Sequence, residues 1–240
     1  MEKEFHSLKI RTPGLMILGT DTEVGKTYVA CRILEELVRQ KIAVGAYKPV
    51  ASGGLSIEQG DAFRLWQASG CNRTLEQVNP QFFLAPLAPP MAAELEGRQV
   101  NDARMFDGAI DWENHCEFLV VEGAGGLMSP LSWSTTNASL TLSLGLPIVL
   151  VSANRLGVVN QVVTTLIAAQ SLGLRVVCVV LTDVAAMDHQ DQSGLTNERL
   201  LKAALDQMAN PPQLARLGFG EAEFRPPMDW HSVASPERLS

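Results

Sequence analysis

The chain has 240 residues, of which 46% are hydrophobic and 19% are charged, and this composition excludes a disordered chain and a small disulfide-stapled domain. Its formal net charge of −7 repels nucleic acids and anionic membranes, so any bound phosphate must be held by a local site. The apolar runs are far shorter than the roughly 18 residues of a membrane span, and the polar start is not a signal peptide, so we expect a soluble cytoplasmic protein.

Five apolar segments rich in β-branched residues have the length of buried strands and alternate with helical segments. They lie at residues 15–18, 43–47, 118–121, 148–151 and 176–181. Strands that are apolar on both faces are typical of a parallel sheet covered on both sides. The sequence therefore predicts an α/β fold, a Rossmann-like three-layer sandwich in which a parallel β-sheet is flanked by helices.

Two helices are marked by apolar stripes at helical spacing. The first follows the first strand, and its stripe is Ala30, Ile33, Leu34, Leu37 and Val38. The second follows the fourth strand, and its stripe is Val159, Val162, Val163, Leu166 and Ile167. Free N–H groups at the start of the second helix suit an anion, although an ordinary helix start explains the pattern equally well.

A phosphate-binding loop is predicted between the first strand and the first helix. Residues 19–27 are GTDTEVGKT, and in this context backbone N–H groups can surround phosphate oxygens at the positive end of a helix. Lys26 is expected to reach the β- and γ-phosphates, and the Thr27 hydroxyl to bind Mg²⁺. Five residues separate Gly19 from Gly25 instead of the usual four. The alternative is a chance Gly-Lys-Thr at a helix start, which the strand-loop-helix context disfavours.

The loop predicts a P-loop NTPase, with residues 1–240 forming a single ATPase-like domain. Residues 1–13 are expected to be a polar N-terminal extension, and residues 52–104, which contain several prolines and glycines, an insertion within the domain. Residues 210–240 contain five prolines and show no clear period. We therefore expect an irregular, Pro-rich C-terminal segment.

Two strand ends carry charged residues that suit a phosphate site. Glu122 follows the third apolar strand, and Lys48 follows the second, directly before Pro49. The carboxyl ends of neighbouring parallel strands converge on the ligand crevice, so Glu122 is a candidate Mg²⁺ ligand and Lys48 is expected to point at the ligand. The alternatives are a turn cap or a lysine partner for Glu122, and a surface lysine at position 48. The four separated cysteines are expected to be free thiols.

Three motifs in this order resemble the dethiobiotin synthetase family. They are GTDTEVGKT at residues 19–27, YKPVASG at 47–53 and VEGAGG at 121–126. The resemblance covers roughly residues 14–185 and includes the extra residue of the phosphate loop. It implies an ATP-dependent cyclo-ligase that converts 7,8-diaminopelargonic acid and CO2 to dethiobiotin, with release of ADP and phosphate, in biotin biosynthesis.

In that family a carbamate forms on one substrate amine, attacks the γ-phosphate to give a carbamic-phosphoric anhydride, and the second amine closes the ring. The resemblance implies that Lys26 and Lys48 neutralise charge on the carbamate and the transferring phosphoryl group. Thr22 and Glu23 would line the same pocket. The implied Mg²⁺ ligands are Thr27, Asp61 and Glu122, although Asp61 by itself is as expected for a plain helix cap.

The same resemblance implies further contacts with the nucleotide and the substrate. The nucleotide would touch Glu23, Val24, Gly25, Lys26, Thr27, Tyr28, Asp61, Glu122, Gly123, Ala124, Gly125, Thr182 and Asp183. The substrate would touch Ser52 and the turn Leu156, Gly157, Val158, Val159 and Asn160. In the family this turn binds the substrate carboxylate across a homodimer interface. We therefore expect a homodimer with its active site at the interface and with small molecules as its substrates.

A departure from the family pattern concerns recognition of the nucleotide base. The family often carries an asparagine that recognises adenine at the end of the fifth apolar strand, where this chain has Thr182. A threonine hydroxyl has one donor and cannot pair with two positions of the base as an amide does. We therefore expect relaxed selectivity for the nucleotide base.

Two alternatives share the predicted fold. A nucleotide-switch ATPase of the partitioning type carries a second lysine in its loop, where this chain has Asp21. An amide synthase of the cobyrinic acid type is normally longer and includes a glutaminase domain, for which 240 residues leave no room. The sequence therefore favours the cyclo-ligase.

Overall fold

The computed structural model describes residues 9–185 and 193–235. Residues 1–8 of the predicted N-terminal extension and residues 236–240 of the predicted C-terminal segment lie outside the described residues.

The described strands form one large sheet and one small sheet. They are β1 (Gly14–Gly19), β2 (Val44–Tyr47), β3 (Ala51–Ser52), β4 (Phe82–Phe83), β5 (Phe118–Gly126), β6 (Ile148–Ala153), β7 (Val176–Thr182) and β8 (Gln213–Leu217). The large sheet has the order β2-β5-β1-β6-β7-β8, and β3 pairs with β4. Every pairing between these strands is parallel, which confirms the predicted α/β fold class.

Helices follow most of the strands. They are α1 (Lys26–Arg39), α2 (Asp61–Ala68), α3 (Leu75–Val78), α4 (Pro89–Leu95), α5 (Asp102–Asp111), α6 (Asn137–Leu144), α7 (Val158–Ser171), α8 (Ser193–Leu205) and α9 (Trp230–Ala234). Among the described residues, no helix has the length and apolar character to cross a membrane.

The centre of the large sheet places three strand ends side by side. Strand β1 lies between β5 and β6, and every residue of β1 and β6 is buried. The register aligns Ile17 of β1 with Glu122 of β5 and with Val149 of β6. The loops that leave these strands therefore share one edge of the sheet, which is where ligands bind in folds of this kind.

Strand β5 is longer than predicted. The sequence indicated an end at Val121, but β5 continues to Gly126, which still pairs with Gly19 of β1. The Asn137 amide supports this extension, because its Nδ2 donates to the carbonyls of Ala124 and Gly126 at 2.7 Å each. Glu122 therefore lies inside a strand with a fixed backbone.

The C-terminal segment is more regular than predicted. Residues 213–217 form β8, which pairs with β7, and residues 230–234 form α9. Trp230 is fully buried, stacks edge-on against Phe224 and donates its Nε1–H to Glu36 Oε2 at 3.1 Å. The expectation of irregular chain was wrong because a five-residue edge strand and a single aromatic anchor leave no periodic signal in the sequence.

The buried face of α7 also differs from the predicted stripe. Val162 and Leu166 are buried as expected, but the inner face is completed by Val158 and Ala169. Ile167 is 58% exposed. The pattern was ambiguous because α7 is apolar on more than one side, so periodicity alone did not identify the inner face.

Candidate active site

The phosphate loop connects β1 to α1 and is tightly curved. Glu23 and Gly25 both have left-handed backbone conformations, with φ of 54° and 89°. Thr22 and Glu23 are exposed, and the Thr22 amide donates to Asp21 Oδ1 at 2.8 Å. The Lys26 ammonium reaches back over the loop and donates to the Asp21 carbonyl at 3.0 Å. The loop is therefore spanned by the lysine that was expected to contact phosphate.

Thr182, at the end of β7, supports this loop from beneath. Its Oγ1 donates to the Val24 carbonyl at 2.6 Å and lies 3.3 Å from the Ser152 carbonyl. A Cβ on Gly25 would lie 3.2 Å from Thr182 Oγ1. The side chain is buried, and its only donor is used by the loop, so this hydroxyl is not presented to a nucleotide base.

A group of four side chains joins the start of α1, the end of β2, the start of α2 and the middle of β5. We call Thr27, Lys48, Asp61 and Glu122 the acid–lysine cluster. Lys48 Nζ makes a short ion pair with Glu122 Oε1 and lies 3.2 Å from Asp61 Oδ2. Thr27 Oγ1 donates to the same Glu122 oxygen at 2.9 Å. The structure thus brings together four residues that lie up to 95 positions apart in the sequence.

Burial and neighbouring charges act against each other in the cluster, and burial raises the pKa of Glu122 in spite of the Lys48 ammonium beside it. Burial by itself lowers the pKa of the Lys48 ammonium, but the carboxylates of Glu122 and Asp61 outweigh this effect and hold the pKa above its ordinary value. The positive charge of Lys48 in turn holds the pKa of Asp61 below its ordinary value. Burial lowers the pKa of the neighbouring Lys26 ammonium. The cluster therefore keeps a charged lysine in a dry environment.

The cluster fits a hard divalent cation. The side-chain oxygens of Thr27, Asp61 and Glu122 are the donor type that Mg²⁺ prefers, and Glu122 Oε2 is buried with no hydrogen-bond partner among the described residues. In the described part of the chain, no group of three or more His, Cys, Asp or Glu side chains forms a complete metal cage. A cation here would take its remaining ligands from phosphate oxygens and water, as Mg²⁺ usually does.

Asp61 lies within helix α2 and does not cap it. It is the first residue of α2, and the capping position is Gly60, which has no side chain. Its carboxylate contacts Lys48 instead. The alternative of a plain helix cap is therefore wrong.

Other predicted contacts use their polar groups within the protein. The Ser52 hydroxyl donates to the Leu87 carbonyl at 2.6 Å, which ties β3 to the loop before α4. The Tyr28 hydroxyl donates to the Glu221 carbonyl in a short contact. Gly123, Ala124 and Gly125 belong to the extended end of β5, and a Cβ at Gly123 would meet Asn137 Oδ1 at 2.3 Å.

Asp183 is engaged in an ion pair that the sequence analysis did not identify. Arg216 of β8 donates to Asp183 Oδ2 through Nε at 3.1 Å and Nη2 at 2.8 Å. Asn154 donates to Asp183 Oδ1 at 3.0 Å, and Asn197 donates to Asn154 at 3.1 Å. Asn154 directly follows β6, so its position at a strand end is a signal that could have been used. Arg216 gave none, because β8 was not predicted.

The turn at residues 156–160 leads into α7 beside the phosphate loop. Gly157 has a φ of 92° and precedes the first residue of α7. Leu156 is 85% exposed, whereas Val158 is buried in the core. Arg155 lies 3.5 Å from Asp21 of the phosphate loop. The turn and the phosphate loop are thus neighbours at the same edge of the sheet.

Comparisons with known proteins identify the family of the chain. Residues 13–217 match the protein family described as AAA domain. The ATP-dependent dethiobiotin synthetase BioD of Anaeromyxobacter sp. (strain K) is 42% identical over 175 residues, which cover 73% of this chain and 78% of that protein. The BioD protein of Rhodopirellula baltica is 37% identical over 201 residues, which cover 78% of each chain.

Solved structures show the same fold in more distant proteins. The signal recognition particle receptor FtsY from Elizabethkingia anophelis, in complex with GDP, has a TM-score of 0.51 at 14% identity, covering 93% of this chain and 63% of that one. At this level of identity the likeness concerns the fold alone.

Proposed function

Because the chain belongs to the ATP-dependent dethiobiotin synthetase family, we propose that the phosphate loop and the acid–lysine cluster form the centre of that reaction. The enzyme is a ligase of biotin biosynthesis. In the proposed reaction, 7,8-diaminopelargonic acid, CO2 and ATP give dethiobiotin, ADP and phosphate.

The observation that carries this assignment is the contact of Lys48 with Glu122 at the end of the phosphate loop. It places a buried ammonium and the Thr27 hydroxyl within hydrogen-bonding distance of the same oxygen of a buried carboxylate. A site that transfers a phosphoryl group between anions needs cations aimed at the developing charge and a dry environment in which they act strongly. The cluster supplies both.

The two lysines take different parts of the charge. Lys26, which spans the phosphate loop, neutralises the β- and γ-phosphates of ATP. Lys48 approaches from the end of β2 and neutralises the carbamate that forms when a substrate amine adds to CO2. The carbamate oxygen then attacks the γ-phosphorus, ADP leaves, and the second amine displaces phosphate from the mixed anhydride to close the ring. Thr22 and Glu23, both exposed on the loop, line the substrate side.

Thr27, Asp61 and Glu122 would hold Mg²⁺. When bound, the cation neutralises negative charge on the phosphate oxygens. These three residues orient one another through Lys48 and the Thr27 hydroxyl, and Glu122 is held on a buried strand. Ser52 and the 123–125 backbone complete the wall of the pocket in this proposal.

We propose that the substrate carboxylate binds the N-terminus of α7, which supplies free N–H groups. We further propose that this helix belongs to a second subunit, so that its N-terminus lies beside the phosphate loop of the first. The exposed apolar side chains of Leu156, in the turn before α7, and of Ile167, on α7, support an interface here, since they are 85% and 58% exposed. An enzyme of this kind would work in the cytoplasm.

The test is direct synthesis. The full chain is incubated with diaminopelargonate, bicarbonate, Mg²⁺ and ATP, and dethiobiotin is measured by mass spectrometry, with equal amounts of ADP and phosphate expected. Omission of diaminopelargonate should abolish ADP release, and EDTA should abolish product until Mg²⁺ or Mn²⁺ is added in excess. ATP hydrolysis without dethiobiotin would contradict the proposal.

A further inference from the structure

The ammonium of Lys48 lies between the two acidic side chains of the acid–lysine cluster. It contacts one oxygen of Glu122 and lies 3.2 Å from Asp61 Oδ2. The Lys48 side chain is only 5% exposed, and Glu122 is fully buried. These are the same carboxylates that would bind a divalent cation.

We propose that Lys48 and Mg²⁺ compete for Asp61 and Glu122, so that entry of the metal releases the lysine toward the substrate. This inference rests on the proposed metal role of the cluster. Lys48 then has two positions: it neutralises the acidic pair when no divalent cation is bound, and it neutralises the substrate when one is.

Charge balance is the reason for competition. A fully buried carboxylate requires a positive partner, because an unpaired buried charge is strongly destabilising. Two cations on the same carboxylate oxygens would repel each other strongly at such short range. The other nearby lysine is not in this position, since Lys26 Nζ donates to the Asp21 carbonyl.

The backbone geometry allows the lysine head to move alone. The Lys48 amide donates to the Val78 carbonyl at 2.8 Å, and its carbonyl accepts from Asn79 Nδ2 at 2.6 Å. These bonds fix the backbone at the end of β2. The four-carbon stem of lysine is flexible, so the ammonium can change partner without a change in the fold.

The second oxygen of Glu122 is available for the first contact with the metal. Glu122 Oε2 is buried with no hydrogen-bond partner among the described residues, whereas Oε1 accepts from both Lys48 and Thr27. A cation that binds Oε2 would weaken the hold of the same carboxylate on Lys48. The Lys48 ammonium is therefore released only when the metal binds, and it is then available to contact the substrate.

The test is Mn²⁺ binding to the full chain without nucleotide, followed by electron paramagnetic resonance of the free ion. Lys48→Met keeps the length of the side chain and removes its charge. We expect it to bind Mn²⁺ about tenfold or more tightly than the wild type, because the competing cation is gone. Lys26→Met is the matched control, since it removes a neighbouring charge that contacts neither carboxylate, and it should have a clearly smaller effect.

The outcomes separate the inference from the role on which it rests. If the wild type and both variants bind Mn²⁺ with the same affinity, or if Lys26→Met has as large an effect as Lys48→Met, competition at the carboxylates is wrong although the metal site stands. If none of them binds Mn²⁺, and if ATP lowers the free-ion signal no further with the protein than without it, the proposed metal role itself fails.

A measurement on the wild type covers the case in which Lys48→Met does not fold. The ammonium protons of Lys48 are followed by ¹⁵N NMR, with the signal identified by its loss in Lys48→Arg. Because the buried Glu122 holds these protons, they should exchange slowly with water, and saturating Mg²⁺ should raise the exchange rate several-fold. An unchanged rate at saturating Mg²⁺ would overturn the inference.

Discussion

Thr182 holds the phosphate loop in place by donating its hydroxyl to the Val24 carbonyl at 2.6 Å. These residues are 158 positions apart, and the bond joins the end of β7 to the turn just before Gly25. A residue expected to contact the nucleotide base therefore acts on the phosphate end of the site, through the backbone of the loop.

Replacing Thr182 should weaken nucleotide binding without changing base preference. Thr182→Val keeps the shape and leaves the Val24 carbonyl without its donor, which costs about 1 kcal/mol or more. We expect KM for ATP to rise about fivefold or more, with a smaller change in kcat. Thr182→Ser retains the hydroxyl and should stay close to the wild type. If the valine variant also matches the wild type in steady-state kinetics, the bond does not position the loop.

Base selectivity should be weak. The Thr182 hydroxyl is used by the loop, and the Asp183 carboxylate by Arg216 and Asn154, so neither side chain offers a free pair of groups to the base. A lost paired contact is worth about 1 to 3 kcal/mol, and we expect GTP or CTP to support turnover within roughly tenfold of ATP. Comparison of kcat/KM for the three nucleotides measures this. A preference for ATP above about a thousandfold would mean that another part of the chain recognises adenine.

Removal of either active-site lysine should stop turnover and leave the chain folded. Lys26→Ala and Lys48→Ala each remove a cation aimed at developing charge, a change that typically costs on the order of 10²-fold or more in kcat. Lys41→Ala is the control, because Lys41 is exposed on the turn after α1. Dethiobiotin formation and circular dichroism are measured for all three. Near-normal activity of Lys48→Ala would remove the end of β2 from the active site.

Only one of the four thiols should react in the folded protein. Burial raises the pKa of Cys31 and Cys178 to about 12, and that of Cys116 to about 11. At pH 8 these three remain protonated and unreactive, since the thiolate is the nucleophile, whereas Cys71 is exposed. Iodoacetamide should add a single group, detected by intact mass, and Cys71→Ser should abolish it. All four should react in guanidinium chloride, and labelling of Cys31 in the folded protein would contradict its burial.

The α7 face should mediate dimer formation. Ile167→Glu places a charge on the exposed apolar side of this helix and should give a monomer in sedimentation velocity, with loss of turnover. Leu95→Glu is the matched control, because Leu95 is likewise an exposed aliphatic side chain, 68% exposed, on another helix, α4. A wild-type monomer with full activity would refute the dimer, and dissociation by both variants alike would not support α7 as the interface.

The sequence was sufficient to predict the centre of the sheet and the meeting of Lys48 and Glu122 at one edge of it, whereas the roles given to the site residues stay predictions. The five apolar strands were found because buried parallel strands leave continuous apolar runs. Lys48 and Glu122 were selected because each follows such a run; Lys48 does follow β2, whereas Glu122 lies inside β5, which continues to Gly126. Strand β8 was not predicted because Gln213–Leu217 is short and lies at the edge of the sheet. The Arg216–Asp183 ion pair was missed for the same reason, because it depends on β8 lying beside β7 and not on any local sequence pattern.

The contacts of helix α1 with the segment after β8 have a consequence for how the protein is made. Tyr28 bonds to Glu221 and Glu36 to Trp230, across 193 and 194 positions of the chain. During synthesis α1 leaves the ribosome long before either partner exists. The helix that begins with Lys26 and Thr27 therefore remains incompletely packed until residues 221–230 have emerged, so a nascent chain stalled before that point should bind ATP poorly although its entire phosphate loop has already been translated.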